Sequence, residues 1–194
     1  MSVTLFPSHD LQESGDNIVD GDAGGSDTNY GSIWLVGWSD NTIHGLVPKH
    51  ATAGIKVTDK GQVTSETVGG TGTRMEVYRT HFQMKAGLVV KDWRYAVRIP
   101  NIRRGELTAD ASSNSADLPD LMFSAMELLP SMMGIRPVFY MDRTIRTFLR
   151  KQLASKVGGS TLTFEDVGGR KTAMFQDIPI RRVDALSATE SAVS

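Results

Sequence analysis

The chain has 194 residues, 40% hydrophobic and 22% charged, with a formal net charge of -1 and no cysteine. That length suits one domain, or one plus an extension, with a sizeable core. The composition excludes disulfides and thiolate metal sites and leaves no global field to attract nucleic acid or a membrane.

No apolar run approaches the roughly 20 residues needed to span a bilayer, and the opening MSVTLFPSHD lacks the basic and apolar regions of a signal peptide. Residues 1–31 read as a flexible arm. From residue 8 onward it is acidic and rich in Gly, Ser and Asn, so it cannot repay its own ordering entropy and orders only where something holds it.

Residues 32–114 read as a β-rich region with hairpins and a long loop. SIWLVGW (32–38), the turn signal Ser39-Asp40-Asn41 and the extended stretch 42–47 together predict a hairpin stopped by Pro48. Residues 48–72 are rich in Gly and Thr and read as loop, most flexible at Gly69-Gly70-Thr71-Gly72. Residues 74–84 alternate, with Met75, Val77, Arg79 and His81 on one face and Glu76, Tyr78, Thr80 and Phe82 on the other. Residues 86–99 continue as a second strand with Trp93, Tyr95, Val97 and Ile99 at period two; 93–99 reads alternatively as a short helix. Residues 103–114 are polar loop.

Residues 115–194 read as an α/β region with two helices and short strands. Ser115 or Asp117 caps a helix with Pro119 in its first turn. Leu121, Met122, Ala125, Leu128, Leu129 and Met132 form its apolar stripe, and Pro130 kinks or ends it. Residues 138–141 form a short buried strand, and Asp142 caps a helix over 143–156. Ile145, Phe148, Leu149 and Leu153 give that helix an apolar face, while Arg143, Arg146, Arg150, Lys151 and Lys156 cover the rest with no acid among them. Short strands follow at 161–164, 172–175 and 178–183, and the tail after residue 185 is small and polar.

Little of this carries chemistry. The histidines, at 9, 44, 50 and 81, lack the i, i+4 spacing of a zinc pair, so no metal site is expected. The glycines at 69–72 lack the Gly-Lys-Ser/Thr ending of a phosphate loop, and there is no Gly-x-Ser-x-Gly elbow. The basic helix admits three readings: a solvated face, a contact with nucleic acid, or a subunit contact in which Arg143, Arg146 and Arg150 meet acids of a neighbour. The arm carries such acids at Asp16, Asp20, Asp22 and Asp27. The near-zero net charge argues against nucleic acid. Trp93, Arg94, Tyr95 and Arg98 read either as a core edge with a local ion pair or as an interface anchor, since Trp, Tyr and Arg dominate interfaces.

In chain order, YGSIWLV (30–36), HGLVPK (44–49), AGI (53–55), GLVVKDWRY (87–95), RIPNI (98–102), FYMDRTIR (139–146) and DIPIRRVDA (177–185) resemble the major capsid proteins of short-tailed bacteriophages and related prophages. The resemblance covers about residues 30–193. It implies an α+β chain with the tailed-bacteriophage major capsid protein fold: peripheral and axial domains, an extended hairpin loop and a flexible arm. Residues 138–156 correspond to the axial strand and helix near a capsomer centre. Family members are longer, and the part bearing the long spine helix has no counterpart here, so the chain reads as a C-terminal portion or a truncated form.

The expected function is therefore structural: a subunit that self-assembles into an icosahedral head shell enclosing the genome. The expected partners are other copies of itself, with scaffold, portal or cement proteins and at most weak, non-specific contact with packaged DNA. The expected location is the virion, after synthesis in the host cytoplasm. No catalytic, cofactor or metal residue is expected. The alternatives are a tail-tube or baseplate protein and, more remotely, a hydrolase using His44 or His81 with a carboxylate.

Overall fold

The computed structural model describes residues 17–22, 24–50, 54–66, 74–110, 114–155, 162–167, 170–186 and 190–193. The fold is mixed α and β. It divides into one unit made of Met1–His44 and Val90–Ser194 and a second made of Gly45–Val89.

The first unit is built around β1 (Tyr30–Trp38), whose apolar SIWLV run is buried between two antiparallel neighbours. On one edge lies β6 (Ala96–Arg103), with Leu35 opposite Val97 and Ile33 opposite Ile99. On the other lies β7 (Arg136–Met141), with Leu35 opposite Phe139. The sheet order is β5 (Gly87–Val90), β2 (Ile43–Leu46), β1, β7, β10 (Ile178–Arg182), β9 (Arg170–Phe175) and β8 (Leu162–Val167), with β6 also on β1. β9 and β10 form a hairpin through Gln176 and Asp177, both at positive φ, as a two-residue hairpin turn matched to strand twist requires.

Two helices supply the remaining core. α1 (Leu118–Glu127) begins at Asp117, whose carboxylate accepts from the Asp120 amide, and carries Pro119 in its first turn. It ends before Pro130, whose ring disfavours helical backbone at the preceding residue. α2 (Arg143–Ser155) buries Ile145, Leu149 and Leu153. These pack with Met122 and Ala125 of α1 and with Ile33, Leu35, Phe139, Phe175 and Ile180 of the sheet.

Several expectations need correction. Segments 32–38 and 42–47 are not a hairpin. The turn forms, with Thr42 Oγ1 donating to Gly37 O at 2.7 Å, but β1 and β2 pair in parallel and only at Trp38 and Ile43. Both edges of β1 are already occupied by distant strands. Residues 48–72 are not all loop, because β3 (Ile55–Glu66) runs through them. The strand expected over 86–99 is interrupted by a 3-10 turn at Trp93–Tyr95, capped by Asp92. In the α1 stripe, Leu128 and Met132 remain exposed. Lys156, the glycines at 69–72 and residues 1–16 lie outside the described residues.

The second unit contains a two-stranded antiparallel ribbon of β3 and β4 (Arg74–Met84). Its register slips by one residue between Asp59 and Gln62. There Gly61 takes φ +67 and its amide is held by Asp59 Oδ1 at 2.8 Å, as in a glycine bulge.

Candidate assembly interface

The ribbon register sets Ile55 opposite Met84, Val57 opposite Phe82 and Gln62 opposite Tyr78. Because strand side chains alternate, all six share one face. Its five apolar members are exposed, from 57% at Val57 to 85% at Tyr78. A two-stranded ribbon is marginal alone in water, and these exposed apolar groups make the face a candidate contact surface, with Asp59 and Thr80 sharing it between the Val57–Phe82 and Gln62–Tyr78 pairs.

The helix α2 begins at Asp142, whose Oδ2 accepts from the Thr144 amide at 3.1 Å and pairs with the Arg104 guanidinium. Burial pushes the Asp142 carboxyl up, but the Thr144 and Arg143 amides and the Arg104 charge together outweigh it and hold the group below its ordinary value. Arg143 is engaged within the chain by a two-pronged pair with Asp184, at 3.1 and 2.9 Å. Arg146 differs: its Nε is buried without a hydrogen-bond partner. Burial, then Arg150 and Arg182, destabilise its charge and lower its pKa. Arg150 is exposed on the same helix.

The arm acids are bound to their own chain. Asp20 Oδ1 accepts from Asn101 Nδ2 at 2.9 Å and from the Asp22 amide at 3.1 Å. Asp22 receives Arg103 through two nitrogens, at 2.9 and 3.1 Å. That hydrogen bonding, helped by the Gly24 amide, holds the Asp22 carboxyl below its usual range. Asp27 accepts from the Gly105 amide at 2.6 Å, while Glu106 accepts from the Ser26 and Asp27 amides. Asp16 lies outside the described residues.

The four residues around 93–98 separate by burial. Trp93 is 44% exposed. Arg94 lies back on Asp92, at 3.0 and 2.8 Å. Tyr95 packs against the core. Arg98, 8% exposed, donates to Ser32 Oγ at 3.2 Å and Glu190 Oε2 at 3.0 Å and stacks over Trp34.

Three polar residues that sequence reasoning missed hold these parts together. Asn101 takes φ +61 in the middle of β6 and joins the arm to residue Val193. Arg103 gathers Asp22 and the carbonyls of Gly25 and Asp27. Gln152, fully buried on α2, accepts from the Leu118 amide at 3.0 Å and donates to Ala116 O at 2.9 Å. The Asn-Ile step in RIPNI, where Asn tolerates left-handed backbone, was the one available signal for Asn101.

His81 is exposed on β4, and His44 Nδ1 is buried without a hydrogen-bond partner. Among the described residues, no group of three or more His, Asp or Glu side chains could hold a metal, and no helix is long and apolar enough to cross a membrane.

No curated protein matches the chain. The family model described as major capsid protein GP7 matches residues 5–194. That family is structural and non-enzymatic. The chain therefore belongs to the GP7 major capsid protein family and is a structural capsid subunit of the phage virion.

Proposed function

We propose that copies of this chain tile an icosahedral head shell around the phage genome, with the β3–β4 ribbon as the extended loop of the tailed-phage coat fold. In this reading β7, α2 and β10 form the axial part, near the capsomer centre. Scaffold and portal proteins act on the same subunit during assembly, and cement proteins after it.

The observation that carries this reading is the ribbon's uncovered apolar face. Burying one such side chain stabilises a contact by about 1.5–3 kcal/mol. Five of them on one face favour a large contact with another copy over a solvated loop. The basic helix supports a second contact. In this reading the basic face of α2, with Arg146 and Arg150, meets acids of a neighbouring copy, and Arg143 pairs with Asp184 of its own chain.

Size-exclusion chromatography with negative-stain microscopy of the full chain, alone and with its scaffold protein, tests the proposal. Capsomers or closed shells are expected. A strictly monomeric protein under both conditions overturns it, and open tubes would reassign it to another part of the virion.

A further inference from the structure

The arm and the C-terminal segment meet at one residue. Residues 18–21 run parallel beside β6, with a single bridge between Ile18 and Arg98. The Val19 and Gly21 amides donate to Arg98 O and Pro100 O, both at 3.0 Å. The fit is tight: a Cβ on Gly21 would lie 2.6 Å from Pro100 O and 2.8 Å from Ile102 Cγ1. Asn17, buried, anchors the start of this run through Nδ2 to Trp93 O at 3.1 Å.

The segment at Glu190–Val193 is held by β1 and β6 together, with Glu190 bridged to Tyr30 of β1. The Glu190 amide donates to Tyr30 O at 3.2 Å, and its carboxylate receives Arg98 and Ser32. Asn101 then holds both chains at once. Its Nδ2 donates to Asp20 Oδ1 at 2.9 Å and to Val193 O at 2.8 Å, and its Oδ1 accepts from the Val193 amide at 2.8 Å. A non-glycine residue at φ +61 inside a strand is a costly conformation, kept where its surroundings over-determine it. The register of β1 and β6 shifts at this point, so β6 carries an extra residue that turns the Asn101 side chain toward both segments.

We infer that Asn101 makes the arm and the C-terminal segment a single latch, docked or released together. Each segment orders the Asn101 amide for the other, so the ordering free energy is shared and the coupling is reciprocal. A contact that draws Val193 away during assembly also releases residues 18–21, and a contact that captures the arm frees the tail. This goes beyond the shell reading, because it concerns the isolated subunit and stands whether or not shells form.

Hydrogen exchange on the full-length subunit tests it, read at the Val19, Gly21 and Val193 amides with Leu149 as a core control. Asn101→Gly keeps the backbone conformation and removes both links. It should speed exchange at all three amides by about tenfold, as expected for losing one or two net hydrogen bonds, and leave Leu149 unchanged. Gly21→Ala dislodges the arm without touching the tail. The latch predicts faster exchange at Val193 as well, and a Val193 amide at its wild-type rate beside a released arm overturns it. If either variant also exposes Leu149, Asp20→Ala, which removes only the Asp20–Asn101 bond and the Asp22 turn, is read at the same amides with the same two outcomes.

Discussion

Phe82 and Val57 stand opposite each other across the β3–β4 ribbon, and both remain uncovered, at 67% and 57% exposure. Among the described residues of their own unit, neither side chain is buried in a core, which fits the contact with another copy proposed above. A capsid subunit needs such faces in place of a pocket, because its partners are copies of itself.

Replacing this pair, Val57→Ser with Phe82→Ser, should raise the concentration needed for assembly by at least about tenfold, since each buried apolar side chain is worth about 1.5–3 kcal/mol. The melting temperature of the unassembled subunit should barely move, because exposed substitutions usually stay within about 0.5 kcal/mol. Light scattering against concentration, beside a thermal melt, checks both. A large drop in melting temperature would mean that the pair supports its own subunit.

Charge reversal on α2 separates assembly from stability in another way. Arg146→Glu with Arg150→Glu should impair assembly more than it lowers the monomer melting temperature. A carboxylate at 146 still bears the cost of burial but meets Arg182 as an opposite charge in place of a like one, and arginine at an interface is often where binding energy concentrates. Equal losses in both measurements would make these arginines structural.

Asp142 gives a pH signature. Its carboxyl lies below its ordinary value in the folded chain, so it contributes stability that is fully present above the unfolded value of 3.8 and is lost as pH falls through the folded one. Asp142→Asn keeps a helix cap and should flatten that acid limb, leaving neutral-pH stability lower by the Arg104 pairing alone. Asp142→Ala should cost about 1 kcal/mol of cap as well. Thermal melts from neutral pH down to about pH 2 distinguish the two.

Gln152 is the polar tie between the helices. Gln152→Ala leaves the Leu118 amide and the Ala116 carbonyl unpaired in the core. It should destabilise the subunit by about 2 kcal/mol or more, read from urea unfolding. A loss near zero would show that α1 repositions its first turn.

Parts of this fold were legible in the sequence for physical reasons. The β7–Asp142–α2 run combines an apolar strand, a cap residue and a 3.6-residue apolar stripe, and all three signals agree with the observed elements. β4 was found because its residues alternate. β3 was missed because it buries neither face, which leaves Lys, Thr, Asp and Gly with no hydrophobic period to detect. The 32–47 hairpin was misread because a local turn signal cannot reveal that β1 pairs with strands about 65 and 100 residues away, where sheet pairing is set by tertiary context. Asn101, Arg103 and Gln152 are hidden for the same reason: a buried polar side chain is explained by its partners, and theirs are distant in sequence. The acids of the arm were visible, but not that Asn101 and Arg103 of their own chain hold them.

In the assembly we propose, another copy covers the apolar face of the β3–β4 ribbon when capsids form. Covalent footprinting of Tyr78 and Phe82, compared between the unassembled subunit and assembled particles, tests it most directly. Strong labelling in the subunit and protection of both residues in particles is the predicted result. Equal labelling of Tyr78 and Phe82 in the two states would contradict it.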